Sequence, residues 1–441
     1  MQKKLCKLHL ALFLIANHFD LEGIPKGCME WDISAIEGPD GDDWRVPTEE
    51  LAQRIELASS ALSEAGIEAM LVHDPVDLYW FTGSRQLGVL LVGSNESEIS
   101  TVFWVRQSLE RAIWEAGEND APFKLSKHPR TKELDSALKE QGCTTTPAMQ
   151  HGRIPHSQVT FYEGLIGTSV DCTRLIWQLR ESKSSWEIEQ MRASGEINRW
   201  MFEAILDEGG EGVSEIELAA AADSVSRAAG FGGHIMMRKW PMNCDRVVIA
   251  AGHSGAVPSY FDSAVGGVGP HPFASLGAGF HRIKVGEPVL VDIVHCHRGY
   301  VSDCTRMFSV GPLNHEWMER LDNMGEVKNS VVTSLARGDS CEVAYDVGMK
   351  IVRECGEENH LMGMPPNQAR FLGHSIGLHL DETPVIARGF DRPLPIGGTM
   401  AIEPKVIYPD GAIGLEDSWV RTDNGMECMT AGDLIPLHQE W

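Results

Sequence analysis

The chain has 441 residues, of which 43% are hydrophobic and 23% are charged, a composition typical of a globular protein with two or three domains. Its formal net charge is −25, from 38 basic and 63 acidic residues. This acidic excess argues against nucleic acid and against an anionic membrane surface as partners. The ten cysteines show no CxxC spacing, so we expect reduced thiols and a cytoplasmic protein rather than a disulfide framework.

Residues 1–46 are expected to form an N-terminal extension. Three lysines precede an apolar stretch at residues 10–16, which is too short to span a bilayer. The stretch resembles the core of a weak signal sequence, but His18, Asp20 and Glu22 follow it and no small-x-small cleavage site is evident. We therefore expect a buried or extraneous segment, with secretion as the alternative. Residues 20–46 are rich in Gly, Asp, Glu and Pro, which indicates an irregular lead-in.

Helical and strand patterns alternate between residues 47 and 176. Thr48 is predicted to cap a helix that has Glu49 and Glu50 in its first turn and that ends at Gly66. Strands are predicted over residues 67–72, 87–92 and 101–105, and a helix over 107–116. This alternation predicts a small α/β domain.

Residues 177–441 predict a larger α+β domain. Two capping boxes, Ser184 with Glu187 and Ser214 with Glu217, begin two helices. Further helices are predicted over residues 315–336 and 341–355, and strands over 246–250, 288–294, 306–310 and 399–408. Helices around a mostly antiparallel sheet are typical of the α+β class.

Five residues of this larger domain have the character of metal ligands. They are Asp292, Asp303, His374, Glu403 and Glu416. Asp292 and Glu403 end apolar runs, where an unpaired buried charge would be costly. Four carboxylates and one imidazole form a hard, oxygen-rich set, in which two carboxylates can bridge two divalent ions while the others cap them. The pattern therefore predicts a dinuclear metal centre.

The ordered set of five ligands resembles that of the pita-bread metallohydrolases, which include methionine aminopeptidase, prolidase, aminopeptidase P and creatinase. Residues 179–191, with their Arg-x-x-Lys and Trp-Glu-Ile-Glu pieces, resemble the linker helix of the prolidase and creatinase branch. The resemblance covers residues 47–441. It implies a pita-bread catalytic domain preceded by a smaller creatinase-type α/β domain.

The resemblance also implies a role for each ligand. Asp292 would bind one metal, Asp303 and Glu416 would bridge both metals, and His374 and Glu403 would bind the second. The two ions, Mn, Zn, Fe or Co, would lower the pKa of a shared water. The resulting metal-bridged hydroxide would attack a small amide or an Xaa-Pro bond in a short peptide, with Glu403 as the proton acceptor. We further expect a homodimer.

Two departures from the peptidase pattern concern accessory histidines. Ser259 stands where the peptidases carry a histidine upstream of the first aspartate, and Asp381 stands where they carry a second one. These histidines help to stabilise the tetrahedral intermediate in the peptidases. His379, five residues after His374, is predicted to replace them as a catalytic residue, with His271 as the second choice.

Two alternatives to a peptidase remain open at this point. One is a non-peptidase member of the same fold, such as a dimethylsulfoniopropionate-type lyase or another enzyme that cleaves C–N or C–S bonds. The other is a non-catalytic binding protein, which the complete ligand set disfavours.

Two arginines are predicted to support the site. Arg306 is predicted to hold a bridging carboxylate in place through a contact outside the metal-ligand shell, and Arg238 is a candidate to reach a substrate carboxylate.

Overall fold

The computed structural model describes residue 38 and residues 41–240, 242–430 and 432–441. The chain divides into two units, Met1–Trp44 and Arg45–Trp441, and the helices and strands given below belong to the second. The apolar stretch at residues 10–16 lies outside the described residues, so the expectation about a signal sequence stays a prediction. Within the described ranges, the structure contains no helix that is both long enough and apolar enough to cross a membrane.

The N-terminal part of the second unit is built on a five-stranded mixed sheet. Its strands are β1 (Ala69–Val72), β2 (Gly88–Gly93), β3 (Val102–Val105), β4 (Lys124–Lys127) and β5 (Ala148–Met149), in the order β4-β3-β2-β1-β5. Its helices are α1 (Thr48–Glu64), α2 (Pro75–Thr82), α3 (Leu109–Glu115), α4 (Leu134–Glu140) and α5 (His156–Ile166). Every residue of β1 and β2 is buried, as expected for strands covered on both faces. The predicted α/β domain is confirmed.

The C-terminal part combines long helices with three sheets. Its helices are α6 (Thr173–Glu181), α7 (Ser185–Glu208), α8 (Glu215–Ala228), α9 (His315–Arg337) and α10 (Cys341–Glu354). One sheet contains β6 (Val247–Ala251), β7 (Val289–His297), β8 (Tyr300–Ser309) and β16 (His438–Glu440), in the order β16-β8-β7-β6. A second contains β9 (Gly373–Ser375), β10 (Glu382–Val385), β11 (Thr399–Ile402), β14 (Asp417–Thr422) and β15 (Gly425–Cys428), in the order β10-β9-β11-β14-β15. The third pairs β12 (Lys405–Tyr408) with β13 (Gly411–Gly414).

The pairing in these three sheets is antiparallel except between β16 and β8. Both predicted capping boxes are formed, at the N-termini of α7 and α8. The predicted α+β class is confirmed. The boundary predicted at residue 176 falls inside α6, and the exact domain limits stay predictions.

The register of β7 and β8 places the first two predicted ligands on one face. Asp292 lies opposite Thr305, and Val294 lies opposite Asp303. Because side chains alternate along a strand, residues two apart on each strand share a face with the residues opposite them. Asp292 and Asp303 therefore project from the same face of this hairpin. The strand predicted over 306–310 begins six residues earlier, at Tyr300, which places Asp303 inside it.

The region predicted as one strand over residues 399–408 is two strands, and this prediction was wrong. The chain leaves β11 after Ile402 and enters β12 at Lys405. Pro404 lies between the two strands and has no N–H to donate to a sheet. The break transfers the chain from the five-stranded sheet to the β12–β13 pair, and it directs Glu403 and Lys405 into the same space.

A buried polar network joins the N-terminal part to the C-terminal part. Arg54, only 2% exposed, donates to the carbonyl of Trp80 (2.7 Å) and to the hydroxyl of Tyr300 (3.0 Å). Trp80 Nε1 and the Tyr300 hydroxyl both donate to Glu187 Oε1, each at 2.9 Å. One apolar core extends from Leu51 of α1 through to the sheets of the C-terminal part. The two parts are therefore packed as one body around shared buried side chains.

Candidate active site

The structure brings the five predicted metal ligands together. A cavity of about 220 Å³ is lined by four of them, Asp292, Asp303, His374 and Glu403. The fifth, Glu416, lies beneath this lining and is 1% exposed. The isolated bridge between Thr305 and Glu416 joins β8 to the segment before β14, and Thr305 Oγ1 donates to Glu416 Oε2 (2.9 Å).

Three of these residues fit one divalent ion. Asp303, His374 and Glu416 each offer one ligand atom, and these atoms lie within 4.8 Å of one another. Within the described part of the chain, Asp303 Oδ1 and Glu416 Oε1 are buried and have no hydrogen-bond partner, which is costly for a carboxylate unless a cation satisfies it. Burial, followed by repulsion from Glu416, raises the pKa of Asp303 well above its usual value. Burial raises the pKa of Glu416 to about 8.

His374 and Glu403 interact directly in the site. His374 Nε2 lies 3.3 Å from Glu403 Oε1. Burial would lower the pKa of His374, but the hydrogen bond and the charge of Glu403 outweigh it and raise the pKa to about 9. An ion bound here would have to displace this proton, because the ligand form of histidine is the neutral imidazole.

Lys405 lies among the predicted ligands, although its sequence context did not single it out. Its side chain is fully buried, and Nζ donates to Asp292 Oδ2 (3.2 Å), Glu403 Oε2 (2.7 Å) and Glu416 Oε2 (2.7 Å). Burial opposes ionisation of Glu403, but the charges of Lys405 and His374 hold the pKa of Glu403 below its usual value. The available signal was a lysine directly after Glu403-Pro404, at the start of an otherwise apolar strand.

Arg306 anchors the ligand Glu416 through its backbone. Arg306 is fully buried, and its Nη1 donates to the carbonyl of Glu416 (2.9 Å). Its Nη2 pairs with Asp417 Oδ1 (2.8 Å). The predicted anchoring role therefore acts on the main chain at residues 416 and 417, while the Glu416 carboxylate itself faces Thr305 and Lys405.

His379 is placed differently from the sequence-based expectation of a proton donor. Its ring is 1% exposed and does not line the cavity; Nδ1 lies 3.0 Å from Arg180 Nη2 and Nε2 lies 3.2 Å from Arg153 Nη2. Burial, reinforced by the charge of Arg180, lowers the pKa of His379 well below its usual value. The ring is therefore neutral, and we now expect it to position the two arginines instead of delivering a proton.

Asp381 and Ser259, which stand where the peptidases carry accessory histidines, form hydrogen bonds with nearby backbone N–H groups. Asp381 accepts the backbone N–H groups of Arg238 (2.5 Å) and Lys239 (2.9 Å), so it fixes this segment at the cavity wall. Ser259 Oγ accepts the N–H of Phe261 (3.1 Å), and Ser259 lines a neighbouring cavity. His271, the second choice, is exposed and lines neither cavity. Among the described residues that line the main cavity, His374 is the sole histidine.

Two cations lie on the wall of the main cavity. Arg238 and Lys239 both line it. The Arg238 guanidinium stacks 5.0 Å from the centre of the Trp177 ring, and its Nε donates to the carbonyl of Asp381 (2.7 Å). Lys239 Nζ pairs with Asp262 Oδ2 (2.6 Å) where both side chains are more than half exposed. The cavity thus has an acidic floor and basic groups on its wall.

The fold and the site together define a two-domain metalloprotein of the pita-bread class. The family model described as metallopeptidase family M24 matches residues 189–423, and that of the creatinase/prolidase N-terminal domain matches residues 54–182. The chain belongs to metallopeptidase family M24. The family and the architecture expected from the sequence are confirmed.

Several similar proteins align with most of the chain at low sequence identity. An Xaa-Pro dipeptidase from Pyrococcus furiosus is 24% identical over 385 residues, which are 86% of this chain and 98% of that protein. The dipeptidase PepE from Mycobacterium ulcerans has a similar structure, with a TM-score of 0.73 at 20% identity over 90% of this chain and 99% of that one. An Xaa-Pro dipeptidase from Bacillus anthracis also gives 0.73, at 22% identity over 88% of this chain and 100% of that one.

Proposed function

We propose that this protein is a metal-dependent hydrolase that cleaves Xaa-Pro dipeptides. One observation carries the proposal: four of the five predicted ligands line one cavity and the fifth, Glu416, lies beneath that lining. Two buried carboxylate oxygens of this set have no partner among the described residues. The relatives named Xaa-Pro dipeptidase indicate the substrate class. The comparisons give no support to the lyase alternative.

Asp303, His374 and Glu416 would hold a divalent ion. Such an ion supplies Lewis-acid polarisation of a carbonyl and lowers the pKa of water. Mn, Zn, Fe and Co all suit this mixture of carboxylate and imidazole, and metal availability decides among them. The second ion that the sequence predicts would have to share Asp292 and Glu403 with Lys405.

The remaining groups of the cavity fit a short peptide. Arg238 and Lys239 lie where they can bind the C-terminal carboxylate of a dipeptide, because a guanidinium and an ammonium both donate to carboxylates. Glu403 lines the same cavity, close to the ion ligands, and is the residue we propose as proton acceptor. This division of roles places amide cleavage between the acidic floor and the basic wall.

We further propose a cytoplasmic homodimer. The cysteines of the described part of the chain are free thiols, which supports a reducing compartment. Sedimentation equilibrium of the purified protein would test the dimer, and a monomer over the whole concentration range would refute it.

The function is tested by removing metal with a chelator and reloading separate samples with Mn²⁺, Zn²⁺, Fe²⁺ or Co²⁺. Each sample is assayed against a panel of Xaa-Pro dipeptides, the same dipeptides with amidated C-termini, and dimethylsulfoniopropionate. We expect metal-dependent hydrolysis of the free-acid dipeptides and weaker hydrolysis of the amides, because the amides lack the carboxylate. Acrylate release without dipeptide hydrolysis would overturn the proposal.

A further inference from the structure

Lys405 is built into the centre of the ligand set. Its Nζ lies within hydrogen-bond distance of Asp292, Glu403 and Glu416, so all three ammonium hydrogens have a carboxylate partner. Three of the five predicted ligands thus already share a cation that belongs to the chain.

The backbone holds Lys405 in this position. Lys405 pairs with Gly414 in the β12–β13 ladder, and a Cβ on Gly414 would lie 2.5 Å from Lys405 Cγ. The absence of a side chain at residue 414 therefore makes room for the lysine stem. The carbonyl of Lys405 accepts the N–H of Met362 (2.8 Å). The side chain of Lys405 is fully buried, so its ammonium depends on these carboxylates for its hydrogen bonds.

Five carboxylate oxygens of the predicted ligands fall into two separate sets. Lys405 binds Asp292 Oδ2, Glu403 Oε2 and Glu416 Oε2. Among the predicted ligands in the described part of the chain, the buried oxygens without a partner are Asp303 Oδ1 and Glu416 Oε1, and they belong to the group of three residues that fits an ion. No oxygen occurs in both sets. The ion-binding set and the ammonium-binding set lie side by side, and Glu416 contributes one oxygen to each.

We propose that Lys405 takes the place of the second divalent ion, so that the centre binds one ion at Asp303, His374 and Glu416 beside a fixed ammonium. An ion at Asp292 and Glu403 would have to displace the ammonium from its partners. A buried ammonium left without partners is strongly unfavourable, so binding of a second ion is weakened by about 100-fold or more. The inference rests on the proposed metal-dependent function and deepens it by stating how many ions that function uses.

The test is the metal stoichiometry of the full chain. Apo protein is titrated with Mn²⁺ or Co²⁺, excess ion is removed, and bound metal is counted by elemental analysis and by native mass spectrometry. Electron paramagnetic resonance of the Mn²⁺ form distinguishes an isolated ion from a coupled pair. We expect one ion per chain and an isolated-ion spectrum for the wild type.

Variants of Lys405 test whether this residue sets the count. Lys405→Ala removes the ammonium and leaves space, and we expect it to bind two ions with a coupled spectrum. Lys405→Arg keeps the charge and should bind one ion. Lys350→Ala, which alters an exposed lysine of α10 that lies 3.8 Å from Glu354, is the matched control and should also bind one ion.

Two results would overturn the inference. One is a wild-type protein that binds two ions and shows a coupled spectrum. The other is a folded Lys405→Ala variant, verified by circular dichroism, that still binds only one ion. If Lys405→Ala does not fold, the wild-type count and spectrum decide alone. Because stoichiometry is measured without turnover, a failed dipeptidase assay and a failed metal count remain distinguishable.

Discussion

Arg180 lies between the two halves of the molecule, and its replacement by methionine should destabilise both. Arg180 is 4% exposed. Its Nη1 pairs with Asp77 Oδ1 (2.5 Å) in the N-terminal part, and its Nη2 pairs with Glu382 Oε1 in the catalytic part. Methionine keeps the apolar stem and removes the charge, so Arg180→Met isolates the ionic contribution.

The expected magnitude follows from the partners that remain. Removing one member of a buried ion pair typically lowers the free energy of unfolding by about 3–5 kcal/mol. Glu382 would keep Lys183, whose Nζ lies 3.0 Å away. Asp77, fully buried, would keep the hydrogen bond from Gln150 Nε2 (2.6 Å) but lose the cation in direct contact with it. We therefore expect a loss of about 3–5 kcal/mol, most of it due to Asp77.

Urea denaturation followed by circular dichroism measures this loss. The matched control is Arg192→Met, which removes a surface pair: Arg192 Nη2 lies 2.8 Å from Glu427 Oε2, with the side chains 42% and 47% exposed. Exposed pairs contribute at most about 1 kcal/mol. If both variants lost less than about 1 kcal/mol, the structural importance assigned to the buried network would be refuted.

The pH dependence of the Arg180→Met variant gives an independent check. Burial raises the pKa of Asp77 from 3.8 to about 6 in the folded protein, and the charge of Arg180 opposes that rise. When the pKa of a carboxyl group is higher in the folded than in the unfolded protein, protonation of that group favours the folded state. Its contribution to the free energy of unfolding therefore falls as the pH rises from the unfolded pKa to the folded pKa. In the variant, which lacks the charge of Arg180, the pKa of Asp77 in the folded protein rises further. The deficit of the variant should therefore be smaller near about pH 5 than near about pH 8, and a constant deficit would contradict this assignment.

Three further predictions concern the candidate active site. Asp303→Asn should lower bound metal and dipeptide turnover at least about 10-fold, whereas Asp322→Asn on the exposed face of α9 should change neither; elemental analysis and kinetics decide, and unchanged metal content would remove Asp303 from the ligand set. Metal affinity should rise between about pH 6 and about pH 9, because His374 and Glu416, whose pKa values are raised to about 9 and about 8, must lose protons to bind an ion. Calorimetry in buffers of different ionisation enthalpy measures the released protons, and a pH-independent affinity would contradict the site. His379→Asn should lower the melting temperature by a few degrees and leave the pH profile of kcat/KM unchanged between about pH 5 and about pH 8; a lost limb in that profile would restore its catalytic role.

The parts of the molecule that the sequence predicted well depend on near neighbours in the chain. A capping box needs residues three apart, and both boxes formed as predicted. The helix predicted over residues 315–336 was found at His315–Arg337. The five residues predicted as ligands were chosen because each has a short, distinctive sequence context. Such local patterns can be recognised in the sequence without knowledge of the tertiary structure.

The parts that the sequence could not predict depend on distant contacts. Lys405 and Asp292 are 113 residues apart, so a lysine near Glu403 gave no sign that it would enter the ligand set. His379 was assigned to the site because it follows His374 by five residues, but its neighbours are Arg153 and Arg180, 226 and 199 residues away. The break at residues 403 and 404 was hidden because both strands carry buried apolar residues, at 400–402 of β11 and at 406 and 407 of β12.

The polar seam between the two parts of the molecule has a consequence during synthesis on the ribosome. The N-terminal part emerges first, and such domains generally begin to fold before the rest of the chain is complete. At that stage Arg54 still lacks Glu187 and Tyr300, and Asp77 still lacks Arg180. The exposed surface of the nascent N-terminal part therefore carries charged groups next to Trp80. These charges keep the surface hydrated and disfavour aggregation between nascent chains. Charges whose burial costs desolvation free energy in the complete protein thus reduce aggregation of the incompletely synthesised chain.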